Sequence, residues 1–239
     1  MLERQRLEAW AGAYPPVRTP KRVLVVMAGN IPLVGFFDLL CVLASGHACR
    51  VKPSSKDTVL IGYVVDLLRT IDPAIPLRMA EQGERPDAVI ATGSDNANRY
   101  FRMLFGGIPS LLRGSRQSVA VLSGRETAAE LSGLEEDIFS YSGLGCRNVS
   151  LLFLPRGYLP ELRCTALNEK YRRNYLRERA LLRMRRMPFV DLDGAVLCED
   201  RSFPAALSCI HYTFYDSLAD VEAWLAAHDD RLQCVVSQC

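Results

Sequence analysis

The clearest indication of the fold is the segment RVLVVMAGNIP, residues 22–32. Its first part, Arg22 to Met27, is a continuous apolar run, which is typical of a strand buried on both faces of a parallel sheet. Residues 28–32, which include Gly29 and Pro32, break the run, and Leu33 to Ser45 has the apolar spacing of a helix. The stretch therefore predicts a strand, a loop and a helix in succession, the repeating unit of an α/β sheet.

The same unit recurs twice along the chain. Strands are predicted at Ala48 to Val51 and at Asp87 to Ala91, and helices at Thr58 to Thr70 and at Asn96 to Phe105. Three such units predict a Rossmann-like parallel sheet with crossover helices. A further strand, Gln117 to Leu122, closes this predicted nucleotide-binding domain, residues 1–122.

Ligands of such sheets bind at the carboxyl ends of the strands. Those ends carry Gly29–Asn30, then Lys52–Pro53–Ser54–Ser55–Lys56, then Thr92–Gly93–Ser94. Small, polar and cationic residues of this kind suit phosphates and amides at helix N-termini. The glycine fingerprint of ordinary dinucleotide-binding domains, GxGxxG, is absent, so the edge predicts a nucleotide site of another type.

A single cysteine marks the second half of the chain. Cys146 follows Gly143–Leu144–Gly145 and precedes Arg147 and Asn148, between an acidic helix-like segment and the apolar run Val149 to Leu154. A thiol presented on a glycine turn beside an arginine is placed to become a thiolate, which is the nucleophilic form. The alternative is a buried structural cysteine, which is the commoner fate of this residue.

The remaining elements predict a second α/β domain, residues 123–239. Strands are expected from Leu151 and near residues 195–197, 211–215 and 232–237, with helices at about 159–186 and 218–228. The Arg-rich segment within the first of these helices, Tyr171 to Arg186, has two interpretations. It is a nucleic-acid-binding helix, or it is a solvated face with Leu176, Leu181, Leu182 and Met184 turned inward, and the near-neutral chain favours the second.

The composition of the chain indicates what kind of protein it is. The chain has 239 residues, 49% of them hydrophobic and 23% charged, with a net charge of +2, which predicts an ordinary globular protein without a general attraction to nucleic acid. Its eight cysteines, among them Cys239, lack paired spacing, and the N-terminus has no signal peptide, so we expect reduced thiols in the cytoplasm. Neither a zinc-binding pattern nor a stretch long enough for a membrane span is present.

These motifs together resemble the aldehyde dehydrogenase superfamily, and most closely its acyl-CoA reductase branch, the LuxC-like reductases. The resemblance covers nearly the whole chain and rests on four blocks in order: residues 26–33, 51–56, 91–94 and 143–148. It implies a nucleotide-binding domain and a catalytic cysteine domain. It also implies a cytoplasmic protein that forms a homo-oligomer when full length. Since members of this branch are longer, the resemblance further predicts that the chain is truncated at both ends.

The resemblance assigns roles to individual residues. It makes Cys146 the nucleophile and gives the amide of Asn30 to the oxyanion hole. It places the nucleotide against three groups: Gly29, the pair Lys52 and Pro53, and the turn Thr92–Gly93–Ser94. Asn30 as a helix N-cap and Lys52 as a solvated strand end are the plainer alternatives.

Two departures from the family pattern refine the prediction. Members that bind NAD carry a glutamate two residues after the Lys-Pro pair, where this chain has Ser55, followed by Lys56. Hydroxyl and ammonium groups accept a 2′-phosphate that a carboxylate would repel, so we expect NADPH as cofactor. The glutamate that activates water in acid-forming members also has no counterpart near Gln117 to Leu122.

The resemblance therefore implies reduction of a fatty acyl-CoA to an aldehyde through an acyl group on Cys146. Without a base to drive hydrolysis, such a thioester persists until it is exchanged or reduced. Whether free acyl-CoA or an acyl-transfer partner protein delivers the acyl group is left open. The alternative function is a non-catalytic remnant of such an enzyme that binds the nucleotide or CoA without turnover.

Overall fold

The structure is a computed structural model that describes residues 3–15, 17–165 and 168–237. Cys239 and part of the predicted helix 159–186 lie outside the described residues. The chain divides into two compact units, Met1–Ser115 and Arg116–Cys239. None of the described helices is long and apolar enough to cross a membrane.

The first unit is a five-stranded parallel sheet with helices on both faces. The strands follow the order β3-β2-β1-β4-β5. The elements are α1 (Arg4–Gly12), β1 (Arg22–Val26), α2 (Phe36–Ala44), β2 (Ala48–Lys52), α3 (Thr58–Ile71), β3 (Leu77–Met79), β4 (Ala88–Thr92), α4 (Asp95–Phe105) and β5 (Ser110–Arg113). The predicted parallel α/β sheet is confirmed, and this order has the reversal beside β1 that is found in doubly wound nucleotide-binding sheets.

Strand β1 lies at the centre of this sheet because its side chains are apolar on both faces. Val25 is fully buried and packs with Leu39 of α2 and Ile61 of α3. On the other face, Leu24 packs with Phe101 of α4. The continuous apolar run of residues 22–27 therefore reflects burial between two helical layers.

The second unit contains a six-stranded sheet in the order β11-β6-β7-β10-β9-β8. All pairs are parallel except β8 with β9. The elements are β6 (Gln117–Val121), α5 (Ala128–Phe139), β7 (Val149–Pro155), α6 (Glu169–Met184), β8 (Val190–Asp191), β9 (Val196–Glu199), β10 (Cys209–Tyr215), α7 (Leu218–Ala227) and β11 (Leu232–Ser237).

Strand β6 belongs to this second sheet, although the sequence analysis assigned residues 117–122 to the first domain. It pairs with β7 on one side and with β11 on the other. Ser118, Val119 and Ala120 are buried there. The chain therefore passes from the first compact unit to the second between Ser115 and Arg116, earlier in the sequence than predicted.

Helix α6 differs from its prediction in length and in orientation. It begins at Glu169 because Asn168 caps it, its Oδ1 accepting from the Tyr171 backbone N–H at 2.7 Å. The inward residues are Tyr171 and Tyr175, which are buried. Of the four residues predicted to turn inward, Leu181 and Leu182 are half-buried, and Leu182 packs near Tyr175. The prediction is wrong for Leu176 and Met184, which are 49% and 81% exposed.

Candidate active site

The loops that follow β1 and β2 pack directly on one another at the carboxyl edge of the first sheet. A Cβ placed on Gly29 would lie 2.3 Å from Ser54 Oγ and 3.4 Å from Lys56 Cβ. The Met27 backbone N–H also donates to the Lys52 carbonyl at 2.9 Å. Only glycine permits this approach, so the sequence motifs around Gly29 and Lys52 form one contiguous surface.

The third predicted motif ends β4, the other neighbour of β1. The Gly93 backbone N–H donates to the Arg113 carbonyl at 3.1 Å, which holds the turn against β5. Ser94 caps α4, its Oγ accepting from the Ala97 backbone N–H at 3.3 Å. The turn therefore places a helix N-terminus at the same sheet edge as Gly29, an arrangement that favours an anionic group.

Half of the predicted cofactor-binding residues face solvent, and so does Asn30, the residue predicted for the oxyanion hole. Asn30, Lys52, Ser55, Lys56 and Ser94 are exposed, whereas Gly29, Pro53, Thr92 and Gly93 are half-buried. This distribution fits a surface that offers its polar groups to a ligand while its backbone is fixed by packing.

A cavity of about 480 Å³ lies beside Lys52 on the α4 face of the sheet. Its walls include Leu24 of β1, Phe105 of α4 and the short segment that follows β3. Arg50 and Glu84 form an ion pair there at 2.9 Å, with both side chains largely buried. The cavity could not be predicted from the sequence, because no local pattern links Arg50 to a carboxylate in a distant loop.

Asp57 positions the loop after β1 from the start of α3. Its buried carboxylate accepts from the Leu33 backbone N–H at 2.7 Å, and Leu33 has the left-handed φ of 56°. Asp57 was not among the predicted site residues. Its place directly before a predicted helix was the available signal.

In the second unit, Cys146 lies on the loop that leads into β7. The Asn148 side chain closes this loop: its Oδ1 accepts from the Gly145 backbone N–H at 2.8 Å, and its Nδ2 donates to the carbonyls of Asp137 and Ser140 at 2.9 and 3.0 Å. The Ser118 hydroxyl donates to the Cys146 carbonyl at 2.9 Å. The backbone on both sides of the thiol is therefore fixed by hydrogen bonds.

The turn before this loop has an unusual backbone. Tyr141, Ser142 and Gly143 have φ angles of 52°, 55° and 65° in succession. Left-handed residues in series are costly except at glycine, and they occur where surrounding contacts fix them. The amide of Asn148, which binds the Ser140 carbonyl at the start of this turn, is one such contact.

Exposure separates Cys146 from the other cysteines. Among the seven cysteines in the described part of the chain it alone is exposed, so the alternative of a buried structural cysteine does not hold. Cys49 provides the contrast, since burial raises the pKa of its thiol to about 12. A solvent-facing thiol on a fixed loop can reach an electrophile, which a buried thiol cannot. Within residues 3–15, 17–165 and 168–237 no cluster of His, Cys, Asp and Glu could hold a metal ion.

Sequence comparison leaves the chain unassigned: no protein-family model and no curated protein matches it. Solved structures do match. One of them is the Mycobacterium tuberculosis aldehyde dehydrogenase complexed with NAD+, with a TM-score of 0.69 and 15% sequence identity. The match covers 90% of this chain and 61% of the M. tuberculosis chain. The chain has the aldehyde dehydrogenase fold.

Two further structures with this fold agree. The match with a NAD-dependent benzaldehyde dehydrogenase from Corynebacterium glutamicum covers 98% of this chain and 70% of the C. glutamicum chain, with a TM-score of 0.66 and 14% identity. The match with the NAD+ complex of the aldehyde dehydrogenase from Bacillus cereus covers 98% of this chain and 66% of the B. cereus chain, with a TM-score of 0.67 and 13% identity. The chain spans 61% of the length of the M. tuberculosis protein.

The aldehyde dehydrogenase fold distributes the predicted site residues over both units. Gly29, Lys52 and Ser94 lie at one sheet edge of the first unit, as the sequence analysis expected. Cys146 belongs to the second unit. The residue that sequence reasoning overlooked there is Asn148, whose amide closes the cysteine loop.

Proposed function

We propose that this chain carries the cofactor loops and the nucleophile of an NADPH-dependent acyl-CoA reductase of the LuxC-like branch. Such an enzyme reduces a fatty acyl thioester to an aldehyde through an acyl group bound to Cys146. The observation that carries the proposal is the exposure of this thiol on a loop held by Asn148. The aldehyde dehydrogenase fold supports it.

The residues of the first unit fit a nicotinamide nucleotide. The loop at Gly29 packs on the loop at Ser54, and α4 begins at the same sheet edge, where the N-terminus of a helix favours a pyrophosphate. The side chains of Lys52, Ser55 and Lys56 would hold the ribose and its 2′-phosphate. Ser55 and Lys56 are both exposed, and Ser55 stands where NAD-binding members carry a glutamate. A hydroxyl and an ammonium group at these positions favour NADPH over NADH.

Cys146 performs the covalent step in this proposal. Its thiolate attacks the carbonyl carbon of the acyl-CoA, the carbon–sulfur bond to CoA breaks, and the CoA thiolate leaves with the proton it takes from solvent. The Cys146 backbone N–H and the Asn30 amide are assigned to the oxyanion that forms during attack. Bound NADPH would supply the hydride that reduces the resulting thioester.

The test is acyl transfer from radiolabelled acyl-CoA to the protein, measured together with oxidation of NADPH and of NADH. Cys146→Ala should remove all labelling and all reduction, because no other exposed thiol is present in the described part of the chain. Cys234→Ala, a half-buried cysteine within 3.5 Å of Arg147, is the matched control and should keep both activities. Labelling that survives in Cys146→Ala would reject the proposal.

The second candidate is a protein that binds the nucleotide or CoA without turnover. The observation that favours it is that all the predicted cofactor-binding residues lie within the first compact unit, whereas Cys146 lies in the second. Binding of NADPH with an unlabelled Cys146 in the same assay would select this candidate.

A further inference from the structure

A second pair of thiols lies away from Cys146. Cys198 of β9 and Cys209 of β10 approach with their Sγ atoms 3.8 Å apart. The strands are parallel neighbours in which Cys198 lies opposite His211 and Cys209 lies opposite Val196, so both cysteines point to the same face of the sheet. We propose that this pair is a modification site at which a peroxide converts the two thiols into a disulfide.

The two cysteines are chemically unequal. The Cys209 thiol donates a hydrogen bond to the Cys198 sulfur. This bond lowers the pKa of Cys198, against burial and the nearby carboxylates of Asp200 and Glu178. The same bond, together with burial, raises the pKa of Cys209. The hydrogen bond therefore favours the thiolate at Cys198 and keeps the proton on Cys209.

The burial of Cys198 favours a small oxidant over a bulky one. Cys198 is 7% exposed, and it packs with Tyr175 and Val196, with Leu182 and Phe189 at the edge of the cluster. A bulky disulfide would have to displace these side chains, whereas hydrogen peroxide is about as small as water. Cys209 is half-buried, so its side of the pair is the less enclosed one.

The reaction balances as two steps. The Cys198 thiolate attacks one oxygen of hydrogen peroxide, the O–O bond breaks, and Cys198 becomes a sulfenic acid while hydroxide leaves. Cys209 then gives its proton to the departing oxygen as its sulfur attacks Cys198, so that a disulfide and water form. The peroxide is reduced by two electrons, and the two sulfurs are each oxidised by one. The sulfurs must close from 3.8 Å to about 2 Å. Because the register sets the two cysteines two residues out of step on adjacent strands, this closure also requires a backbone shift at Cys209, the first residue of β10.

Tryptic mass spectrometry reads this site directly. Cleavage after Arg186, Arg201 and Arg231 releases Cys198 and Cys209 on two different peptides, 187–201 and 202–231. After treatment of the intact chain with hydrogen peroxide, the two peptides should appear joined, with the loss of two hydrogens, and should separate on reduction. The Cys146→Ala and Cys234→Ala proteins should form the same linkage, because neither thiol takes part.

Two substitutions separate this proposal from general oxidation. Cys209→Ser keeps a hydroxyl donor but cannot close the disulfide, so the sulfenic acid should remain on Cys198 and be captured by dimedone. Cys209→Ala removes the donor, and capture at Cys198 should be several-fold slower. Two unlinked peptides in the oxidised wild type would overturn the proposal. Equal dimedone labelling of Cys198 in the Ser and Ala proteins would overturn the role assigned to the hydrogen bond. The site does not depend on the proposed reductase activity.

Discussion

At the scale of single residues, the cysteine loop depends on Asn148 more than on the glycines that first draw attention to it. Three hydrogen bonds from one amide join Gly145 to the end of α5 and to the turn at Ser140. A primary amide is the smallest side chain that accepts one such bond and donates two. The sequence indicated the loop through Cys146, but it could not show which neighbour holds the loop.

Replacement of Asn148 tests that role. Asn148→Ala should lower the free energy of unfolding by about 1–3 kcal/mol, because the Gly145 N–H and two carbonyls lose their partner. Asn148→Asp keeps the acceptor for Gly145 but sets a carboxylate against two carbonyl oxygens, so it should be no more stable than the alanine protein. Urea unfolding gives the stabilities, and a stability equal to wild type in both variants would contradict the assignment.

The contact between Gly29 and Ser54 supports a second prediction. Gly29→Ala should cost about 1–3 kcal/mol of stability, since the added methyl would lie 2.3 Å from Ser54 Oγ. The double variant Gly29→Ala with Ser54→Gly should recover most of this loss. Gly62→Ala is the matched control, because an added Cβ there meets nothing within 4 Å on helix α3 and should stabilise by about 1 kcal/mol or less. Thermal unfolding of the four proteins makes the comparison.

At the scale of elements, strong periodicity was informative and short elements were not. The apolar runs and helical spacings of β1, β2, β4, α2, α3 and α4 appear at the predicted places within a few residues. Strands β3 and β5 were missed because they have three and four residues and follow prolines directly. On helix α6, Leu176 and Met184 were wrongly expected to face inward, because leucine and methionine were expected to be buried before tyrosine. Tyr175 is buried with its hydroxyl satisfied by Asp191 at 2.6 Å.

An ion pair at the start of β1 should make the first sheet sensitive to acid. Hydrogen bonds from the Arg22 side chain and backbone lower the pKa of Asp87 to about 2, below its ordinary value of 3.8. A carboxylate with a depressed pKa contributes stability above its ordinary pKa and loses it as the pH falls through the folded value. The contribution of this pair is therefore present above about pH 4 and disappears toward about pH 2.

Asp87→Asn removes this titration and provides the measurement. The difference in unfolding free energy between wild type and Asp87→Asn should shrink steadily as the pH is lowered from about 5 to about 2. Arg22→Gln should weaken the same pH dependence, since it removes the largest cause of the shift while the backbone N–H remains. Urea titrations at a series of pH values suffice, and a difference that stays constant with pH would contradict the prediction.

For the whole molecule, the sequence predicted two α/β units, but it did not predict correctly which strands belong to each of the two sheets. A parallel α/β architecture and the loops at the edge of the first sheet followed from the repeated strand-loop-helix pattern. The assignment of Gln117–Val121 did not, because an apolar strand carries no sign of which neighbours it will pair with. Long-range pairing with β7 and β11 decides that question.

The position of the boundary predicts how fragments behave. A fragment of residues 1–115 ends where the first compact unit ends and should be monomeric. A fragment of residues 1–122 adds β6 without its partners β7 and β11, exposing Val119 and unpaired backbone groups, and should aggregate. Size-exclusion chromatography of the two fragments distinguishes the outcomes, and a monomeric 1–122 fragment with an aggregated 1–115 fragment would favour the later boundary.

The packing of Gly29 on Ser54 also bears on how this protein can diverge. A larger residue at either position needs a smaller one, or a shifted loop, at the other. Natural variants of this chain should therefore change the two sites together, so that drift in one cofactor loop is constrained by the other. Exchange of either loop alone between homologues should fail where exchange of both succeeds.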